Sequence, residues 1–281
     1  MVEKNRFRKN SSAPKKRFNK REEQKGFTSG KKADKQESND SSDLQRLNKY
    51  ISNSGVCSRR EADTLISDGK VKVNGKVVKE MGTKVSFRDK IEYGGKVLSG
   101  ERKVYLLLNK PKDHITTMED THGRKTVMNL VGNACQERIY PVGRLDRNTT
   151  GLLLFTNDGA LTENLTHPRY QVKKTYHATL DKAFDDKHLE EMREGLELED
   201  GKAFVDVVEY IDNGGKKEVG IELHSGKNRI VRRMFEHLGY EVVKLDRIYY
   251  AGLTKKDLPR GRWRFLNRKE AGMLMMASKK K

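Results

Sequence analysis

The sequence of 281 residues is poor in several features that define common protein classes. It has only two cysteines, Cys57 and Cys135, too few for a disulfide framework and without zinc-ligand spacing. No apolar run exceeds about five residues, far short of the roughly 20 that span a bilayer, and the first residues lack a secretory signal's apolar centre. A Gly-x-x-x-x-Gly-Lys-Ser/Thr phosphate loop and metal-binding histidine spacing are also absent. We therefore expect a cytoplasmic protein with no metal site, no nucleotide-hydrolysing activity and no membrane partner.

Positive charge is the strongest property of the composition. Lys and Arg number 59 against 40 Asp and Glu, which gives a net charge of +19 at pH 7. Such an excess favours a polyanionic partner, with nucleic acid as the first candidate. Residues 1–43 contain 13 basic and 7 acidic residues and almost no large apolar ones, which predicts a disordered basic arm. The arm either strengthens phosphate binding or only keeps the protein soluble.

Residues 44–103 have the pattern of a small helix-helix-hairpin domain. Apolar residues at helical spacing over 44–51 predict a first helix. Ser58-Arg59-Arg60-Glu61 is a capping box that predicts the start of a second helix. Asn74-Gly75 between valine-containing segments predicts a hairpin, with further short strands up to residue 98.

This order of elements resembles the S4 RNA-binding domain, and the residues that carry the likeness are 46–51, 58–62 and 69–75. A basic residue at a helix N-terminus adds its charge to the helix dipole, and both favour a phosphate. The alternative is an ordinary solvated helix face. The residues expected to bind RNA here are Arg46, Lys49, Arg59, Arg60, Lys70, Lys72 and Lys76.

Residues 104–268 are predicted to form a larger α+β domain, in which helices flank a largely antiparallel mixed sheet. Strands and helices do not alternate strictly, which argues against a doubly wound parallel sheet. Strands are expected at 104–108, 151–155, 174–180, 203–211, 217–224 and 242–245, and helices at 160–166, 185–194 and 228–238. Residues 269–281 are expected to form a frayed basic tail.

The segment 140–159 places one carboxylate, Asp146, between Arg144 and Arg147 and ahead of an apolar strand. An aspartate held ionised among cations on a loop is suited to act as a nucleophile. The same three residues also fit an ordinary loop salt bridge, so they do not by themselves separate a catalytic role from a structural one.

Several motifs together resemble the RsuA/RluB/RluE/RluF family of pseudouridine synthases. They occupy residues 108–111, 140–146, 174–178 and 226–234, and with the S4-like unit the resemblance spans residues 44–268. It implies a cofactor-free isomerisation of uridine in RNA, on a base flipped out of its stack. The implied partner is ribosomal RNA of the large subunit, as 23S rRNA or a pre-ribosomal particle, with 16S rRNA or transfer RNA as alternatives. A non-catalytic S4-type protein of ribosome assembly is the competing class.

The resemblance also implies roles for single residues. Asp146 would be the nucleophile, attacking the ribose C1′ or the uracil C6, and Arg144 would support the flipped state. Tyr176 would stack on the base and help remove the C5 proton. Arg232 would form a buried pair with Asp146 that keeps the carboxylate ionised. Further RNA contacts are expected from Arg229, Arg233 and Lys110, although the two arginines also suit a solvated helix face, and a structural role for Lys110 is equally compatible.

Overall fold

The computed structural model of the protein describes residues 44–212 and 214–277. The basic arm predicted for residues 1–43 lies outside the described residues. Within them, no helix combines the length and the apolar character that crossing a membrane requires.

Two short helices packed on a four-stranded sheet form the first part of the described chain. The capping box is present, because the Ser58 hydroxyl accepts from the Glu61 N–H at 3.3 Å and the Glu61 carboxylate accepts from the Ser58 N–H at 2.6 Å. Asn74 and Gly75 both have positive φ, 51° and 81°, as a two-residue type I′ turn requires. The elements are β1 (Gln45–Arg46), α1 (Leu47–Asn53), α2 (Arg59–Ser67), β2 (Val71–Val73), β3 (Lys76–Val78), β4 (Lys84–Val85), β5 (Ile91–Tyr93) and β6 (Lys96–Val97).

A nine-stranded sheet organises the rest. The elements of this part of the chain are β7 (Tyr105–Lys110), α3 (Met128–Val131), β8 (Tyr140–Pro141), β9 (Thr149–Thr156), α4 (Gly159–Thr166), β10 (Lys174–Leu180), α5 (Asp186–Glu194), β11 (Leu196–Leu198), β12 (Gly201–Ala203), β13 (Val207–Tyr210), β14 (Glu218–Leu223), α6 (Ile230–His237), β15 (Val242–Tyr250), β16 (Leu253–Thr254), β17 (Trp263–Phe265) and α7 (Arg268–Ala277). The strands β11 and β12 pair with each other outside the nine-stranded sheet. The central order is β13-β14-β10-β15-β9-β7-β17. Its neighbours are antiparallel except β15 and β9, which are parallel. The expected α+β fold is confirmed.

The predicted frayed tail is wrong for residues 269–277. They lie in α7, whose Leu274 is fully buried against the sheet. The Arg264 guanidinium donates to both carboxylate oxygens of Glu270 at 2.8 and 2.7 Å, which ties the first turn of the helix to β17. The lysine-rich end of the chain led to the prediction of a solvated tail. Packing against the sheet nevertheless orders residues 269–277 as a helix.

The parallel contact between β9 and β15 positions the pocket described below. Across it, Leu245 lies opposite Thr149, and Arg247 lies opposite Gly151. Gly151 has a φ of +105°, and a Cβ built there would stand 2.3 Å from the Arg247 carbonyl oxygen. Only glycine fits where the two backbones approach this closely.

We expect Gly151→Ala to destabilise the fold by more than about 3 kcal/mol, because the methyl group would push two central strands apart. Chemical denaturation of the purified protein measures this. Gly82→Ala is the matched control, since Gly82 also has a positive φ, +83°, but has open space around it. It should cost only about 1–2 kcal/mol from the backbone conformation. Equal losses for the two variants would contradict the steric explanation.

Candidate active site

The loop that carries Asp146 is held from below by the ammonium group of Lys110. This residue ends β7, and its side chain is fully buried. Its Nζ lies within hydrogen-bond distance of the carbonyl oxygens of Pro111, Asp146, Arg147 and Thr149, at 3.1, 3.1, 3.2 and 2.8 Å. A buried charge is stable only when such partners surround it, so the loop and the lysine order each other.

Further bonds secure the same loop from the side. The Thr116 hydroxyl donates to the Leu145 carbonyl at 2.8 Å and accepts from the Leu145 N–H at 3.2 Å. The Asp113 N–H donates to the Arg147 carbonyl at 3.0 Å, and the two side chains form an exposed ion pair at 3.4 Å. Asp146 is thus presented by a backbone held at consecutive residues, while its side chain stays partly exposed.

The predicted contact of Lys110 with RNA is wrong, because the side chain has no exposed surface. Burial lowers the pKa of Lys110 to about 8, although the nearby carboxylates of Asp146 and Asp113 oppose that shift. Its positive charge beneath the loop therefore acts on Asp146 through the protein and not on a phosphate in solvent.

Asp146 forms its ion pair with Arg229 rather than with Arg232. The Nη1 atom of Arg229 lies 3.8 Å from Oδ2 of Asp146. Arg229 precedes α6 in a left-handed conformation, with φ at 46°, and this turns its side chain toward the pocket. Arg232, one turn into the helix, donates instead to the Val242 carbonyl at 2.6 Å. The predicted direct pair of Arg232 with Asp146 is therefore corrected, although Arg232 stays within electrostatic range of the carboxylate.

Arg233 also forms its hydrogen bonds with other residues of the protein. Its guanidinium donates to both carboxylate oxygens of Asp200 at 2.9 and 3.0 Å, and its Nε donates to the Asn228 carbonyl at 2.9 Å. Lys227 donates to the Asp200 carbonyl at 2.8 Å. These contacts fasten the turn before α6 to the β11–β12 hairpin, and Arg229 stands at the end of that turn. The contact of Arg233 with RNA stays a prediction.

A cavity of about 280 Å³ lies above these groups. It is slightly smaller than a typical small-molecule site of roughly 300–1,000 Å³, which suits one flipped nucleoside. The four residues expected to be catalytic, Arg144, Asp146, Tyr176 and Arg232, all line it. Tyr176 is half-buried between two apolar clusters on β10, and Arg144 is exposed at the rim.

Two cations of the pocket were not among the sequence-predicted site residues. Arg247 is 3% exposed, and its Nε donates to the Leu152 carbonyl at 2.8 Å. Lys174 donates to the carbonyls of Val172 and His224 at 3.0 and 2.8 Å, and burial, followed by the charge of Arg247, lowers its pKa to about 8. Both lie on inward-facing positions of strands. The sequence predicted that this strand ends at Leu245. Inward- and outward-facing positions alternate along a strand, so a strand longer by two residues would have placed Arg247 on the same inward face as Leu245.

The S4-like part presents its predicted basic residues to solvent. Arg46, Arg59, Arg60, Lys70, Lys72 and Lys76 are exposed and Lys49 is half-exposed, although Lys70 also pairs with Asp68 at 2.9 Å. Burial raises the pKa of Tyr140, and the positive charges of Arg138 and Arg59 oppose that rise. The basic start of α2 thus lies near the strand that leads into the Asp146 loop.

Comparison with known proteins agrees with both parts of this arrangement. The family profile described as the S4 domain matches residues 45–91, and the profile described as RNA pseudouridylate synthase matches residues 104–237. The second match contains the whole Asp146 loop, Tyr176 and all of α6.

Individual relatives are similar over most of the chain. A Bacillus subtilis (strain 168) protein named "Ribosomal large subunit pseudouridine synthase B" is 45% identical over 221 residues, covering 78% of this chain and 90% of the relative. An Aquifex aeolicus (strain VF5) protein named "Uncharacterized RNA pseudouridine synthase" is 42% identical, covering 83% of this chain and 94% of the relative. A solved structure titled "Crystal structure of pseudouridylate synthase" has a TM-score of 0.59 at 28% identity, covering 82% of this chain and 99% of that one.

The lowered pKa of Lys110 predicts a pH dependence of stability. Between about pH 8 and the ordinary pKa of 10.5, the unfolded chain keeps a proton that the folded chain has lost. Stability rises with pH wherever the unfolded state binds more protons. We therefore expect the free energy of unfolding of the wild type to rise between pH 7.5 and 9.5. Over the same interval, the rise should be smaller by about 1–2 kcal/mol in Lys110→Met, which lacks this titrating group.

Denaturant titrations at several pH values measure this difference. Lys174, whose pKa is also about 8, contributes equally to both proteins and cancels in the comparison. Lys112→Met removes an exposed lysine next to the loop and should keep the wild-type rise. Parallel curves for wild type and Lys110→Met would refute the assignment.

Proposed function

Because the chain belongs to the RNA pseudouridylate synthase family and is a pseudouridine synthase, we propose that it isomerises uridine in large-subunit ribosomal RNA through covalent catalysis by Asp146. The observation that carries the mechanism is the position of Asp146. Asp146 lies on a loop whose backbone is held by hydrogen bonds, and its Oδ2 atom lies 3.8 Å from Nη1 of Arg229. Asp146 and Tyr176 line the same pocket. The name of the Bacillus subtilis relative supports the choice of ribosomal RNA of the large subunit.

Asp146 supplies a nucleophile that is held ready for attack. The guanidinium of Arg229 and the buried charges of Arg232 and Lys110 stabilise its negative charge without covering the carboxylate. Its attack on the ribose C1′ or on the uracil C6 forms a covalent intermediate, which divides one difficult rearrangement into easier steps. The uracil then turns and rejoins the ribose through C5.

Tyr176 and Arg144 act on the flipped nucleotide. Tyr176 stacks against the uracil from its fixed position on β10 and helps remove the C5 proton. Arg144 is exposed at the rim of the pocket, where its charge supports the displaced nucleotide. Flipping is required because the reacting atoms of a stacked base are out of reach.

The S4-like part supplies the binding that orients the RNA. Arg59 and Arg60 stand at the capped start of α2, where charge and helix dipole both favour a phosphate. Arg59 is close enough to Tyr140 to affect its titration, so a phosphate bound there would lie near the Asp146 loop. Lys70, Lys72 and Lys76 extend the basic surface along the β2–β3 hairpin.

Asp146→Asn tests the nucleophile. We expect it to lower the rate of tritium release from RNA labelled at uracil C5 by at least about 1,000-fold, because the amide is a far poorer nucleophile. The substrates are in vitro transcripts of 23S and 16S rRNA and of transfer RNA. Asp257→Asn alters an exposed aspartate away from the pocket and should retain full activity. A fully active Asp146→Asn protein would exclude covalent catalysis by this residue.

Arg59→Ala combined with Arg60→Ala tests the RNA surface. The logarithm of the binding constant falls linearly with the logarithm of the salt concentration. Each lost phosphate contact should make this slope shallower by about 0.7–0.9, so the slope of the double variant should be shallower by roughly 1.5. Filter binding of a 23S rRNA transcript across a salt series measures the slope. Lys187→Ala with Arg193→Ala removes two cations from α5 and serves as the charge-matched control. If both double variants change the slope equally, net charge and not the start of α2 determines binding.

A further inference from the structure

Buried hydrogen-bonding groups without a partner are concentrated at the active-site pocket. Among the described residues, five buried side-chain atoms have no partner, and three of them belong to residues that line this cavity: Thr149 Oγ1, Arg232 Nε and Arg247 Nη2. A buried donor without a partner is costly, by about 1–3 kcal/mol. Its presence in a pocket therefore indicates that a ligand provides the acceptor.

Arg247 is the most rigidly held of these groups. Its Nε donates to the Leu152 carbonyl at 2.8 Å, and its guanidinium carbon lies 4.5 Å from the ring centroid of Tyr250. The direction of Nη2 is consequently set before any ligand enters.

The position of Arg247 relative to Tyr176 indicates which ligand atom it meets. The two residues are direct partners across the β10–β15 pair. In the proposed function Tyr176 acts at C5 of the uracil, and the atom bonded to C5 that carries an acceptor is C4, with its oxygen O4. The other carbonyl, O2, lies on the far side of the ring. The neighbour of Tyr176 therefore faces O4.

We propose that Arg247 donates a hydrogen bond from Nη2 to O4 of the flipped uracil and stabilises the negative charge that develops on that oxygen. The inference rests on the proposed function. It also accounts for selection of uracil over cytosine, because cytosine carries an amino donor at C4 and would place two donors against each other.

The electron movements of both possible attacks lead to O4. When a carboxylate oxygen of Asp146 bonds to C6, the electron pair of the C5–C6 double bond moves through C4, and the charge rests on O4 as an enolate. When the carboxylate bonds to C1′, the bond from C1′ to N1 breaks and N1 leaves with its electron pair, which is delocalised over O2 and O4. One fixed guanidinium near O4 thus serves either route. A donor fixed in advance at such a site contributes roughly 100- to 1,000-fold in rate.

The variant Arg247→Met keeps an unbranched side chain on the strand and removes the donor. We expect it to lower the single-turnover rate of pseudouridine formation by roughly 100-fold, with a smaller loss for Arg247→Lys, which retains a cation. Arg264→Met is the control, since Arg264 is also a strand arginine with an unpartnered Nε but does not line the pocket. Thermal melting and RNA binding are measured for every variant, and Arg247→Lys carries the test if Arg247→Met does not fold.

The decisive measurement pairs these variants with altered RNA. The substrate is a 23S rRNA fragment that the wild type modifies, made with uridine, 4-thiouridine or 2-thiouridine at the target. The ratio of rates for uridine and 4-thiouridine should differ by about tenfold or more between wild type and the Arg247 variant, since contacting groups couple. The ratio for 2-thiouridine should be the same in both proteins.

The outcomes separate this inference from the function on which it rests. An unchanged 4-thiouridine ratio in an active enzyme overturns the O4 contact and leaves the proposed function intact. A changed 2-thiouridine ratio with an unchanged 4-thiouridine ratio assigns Arg247 to the other carbonyl and also overturns it. A wild type that modifies none of the ribosomal RNAs refutes both proposals together.

Discussion

The buried ammonium group of Lys110 is the interaction on which the site depends. A charge with no exposed surface must be surrounded by oxygen atoms, and here four backbone carbonyls of residues 111–149 surround it. Those carbonyls fix the turn that presents Asp146. The same charge also stabilises the carboxylate above it, so one lysine provides both the shape of the loop and part of its electrostatics. An apolar residue would fill the space but would leave the carbonyls without donors.

The sheet supplies the second half of the site through the parallel contact of β9 with β15. β7, β9 and β15 are neighbours in the sheet, so Lys110, the loop before β9 and Arg247 come from distant parts of the chain to one place. Gly151 permits the close approach of β9 and β15 that this requires. Tyr176 enters from the next strand, opposite Arg247. Paired strands therefore form one side of the pocket. The turn before α6, where Arg229 has a left-handed backbone conformation, completes it.

The sequence predicted the elements whose signals are local and missed the contacts that depend on tertiary structure. The capping box at Ser58 and the turn at Asn74-Gly75 are set by nearby residues, and both were anticipated. Arg229 and Arg232 show the limit. Helical periodicity places Arg232 correctly in α6, but it also places Arg229 in the helix, whereas Arg229 precedes α6 in a left-handed conformation that the sequence does not show. Nor does a sequence show that Lys110 is buried, since its partners are backbone atoms remote along the chain.

Three arginines that line the pocket, Arg229, Arg232 and Arg247, differ in how deeply they are buried. Arg229 is nearly half exposed, whereas Arg232 and Arg247 are almost fully buried and donate to backbone carbonyls that fix their directions. Burial, and next the charge of Arg229, lowers the pKa of Arg232, whereas the charges of Asp146, Glu236 and Glu241 oppose that shift. In the proposed function, negative charge develops on the uracil only as the reaction proceeds. The attraction between that charge and the arginines of the pocket would then be stronger in the transition state than with the neutral substrate, which is the condition for lowering the barrier.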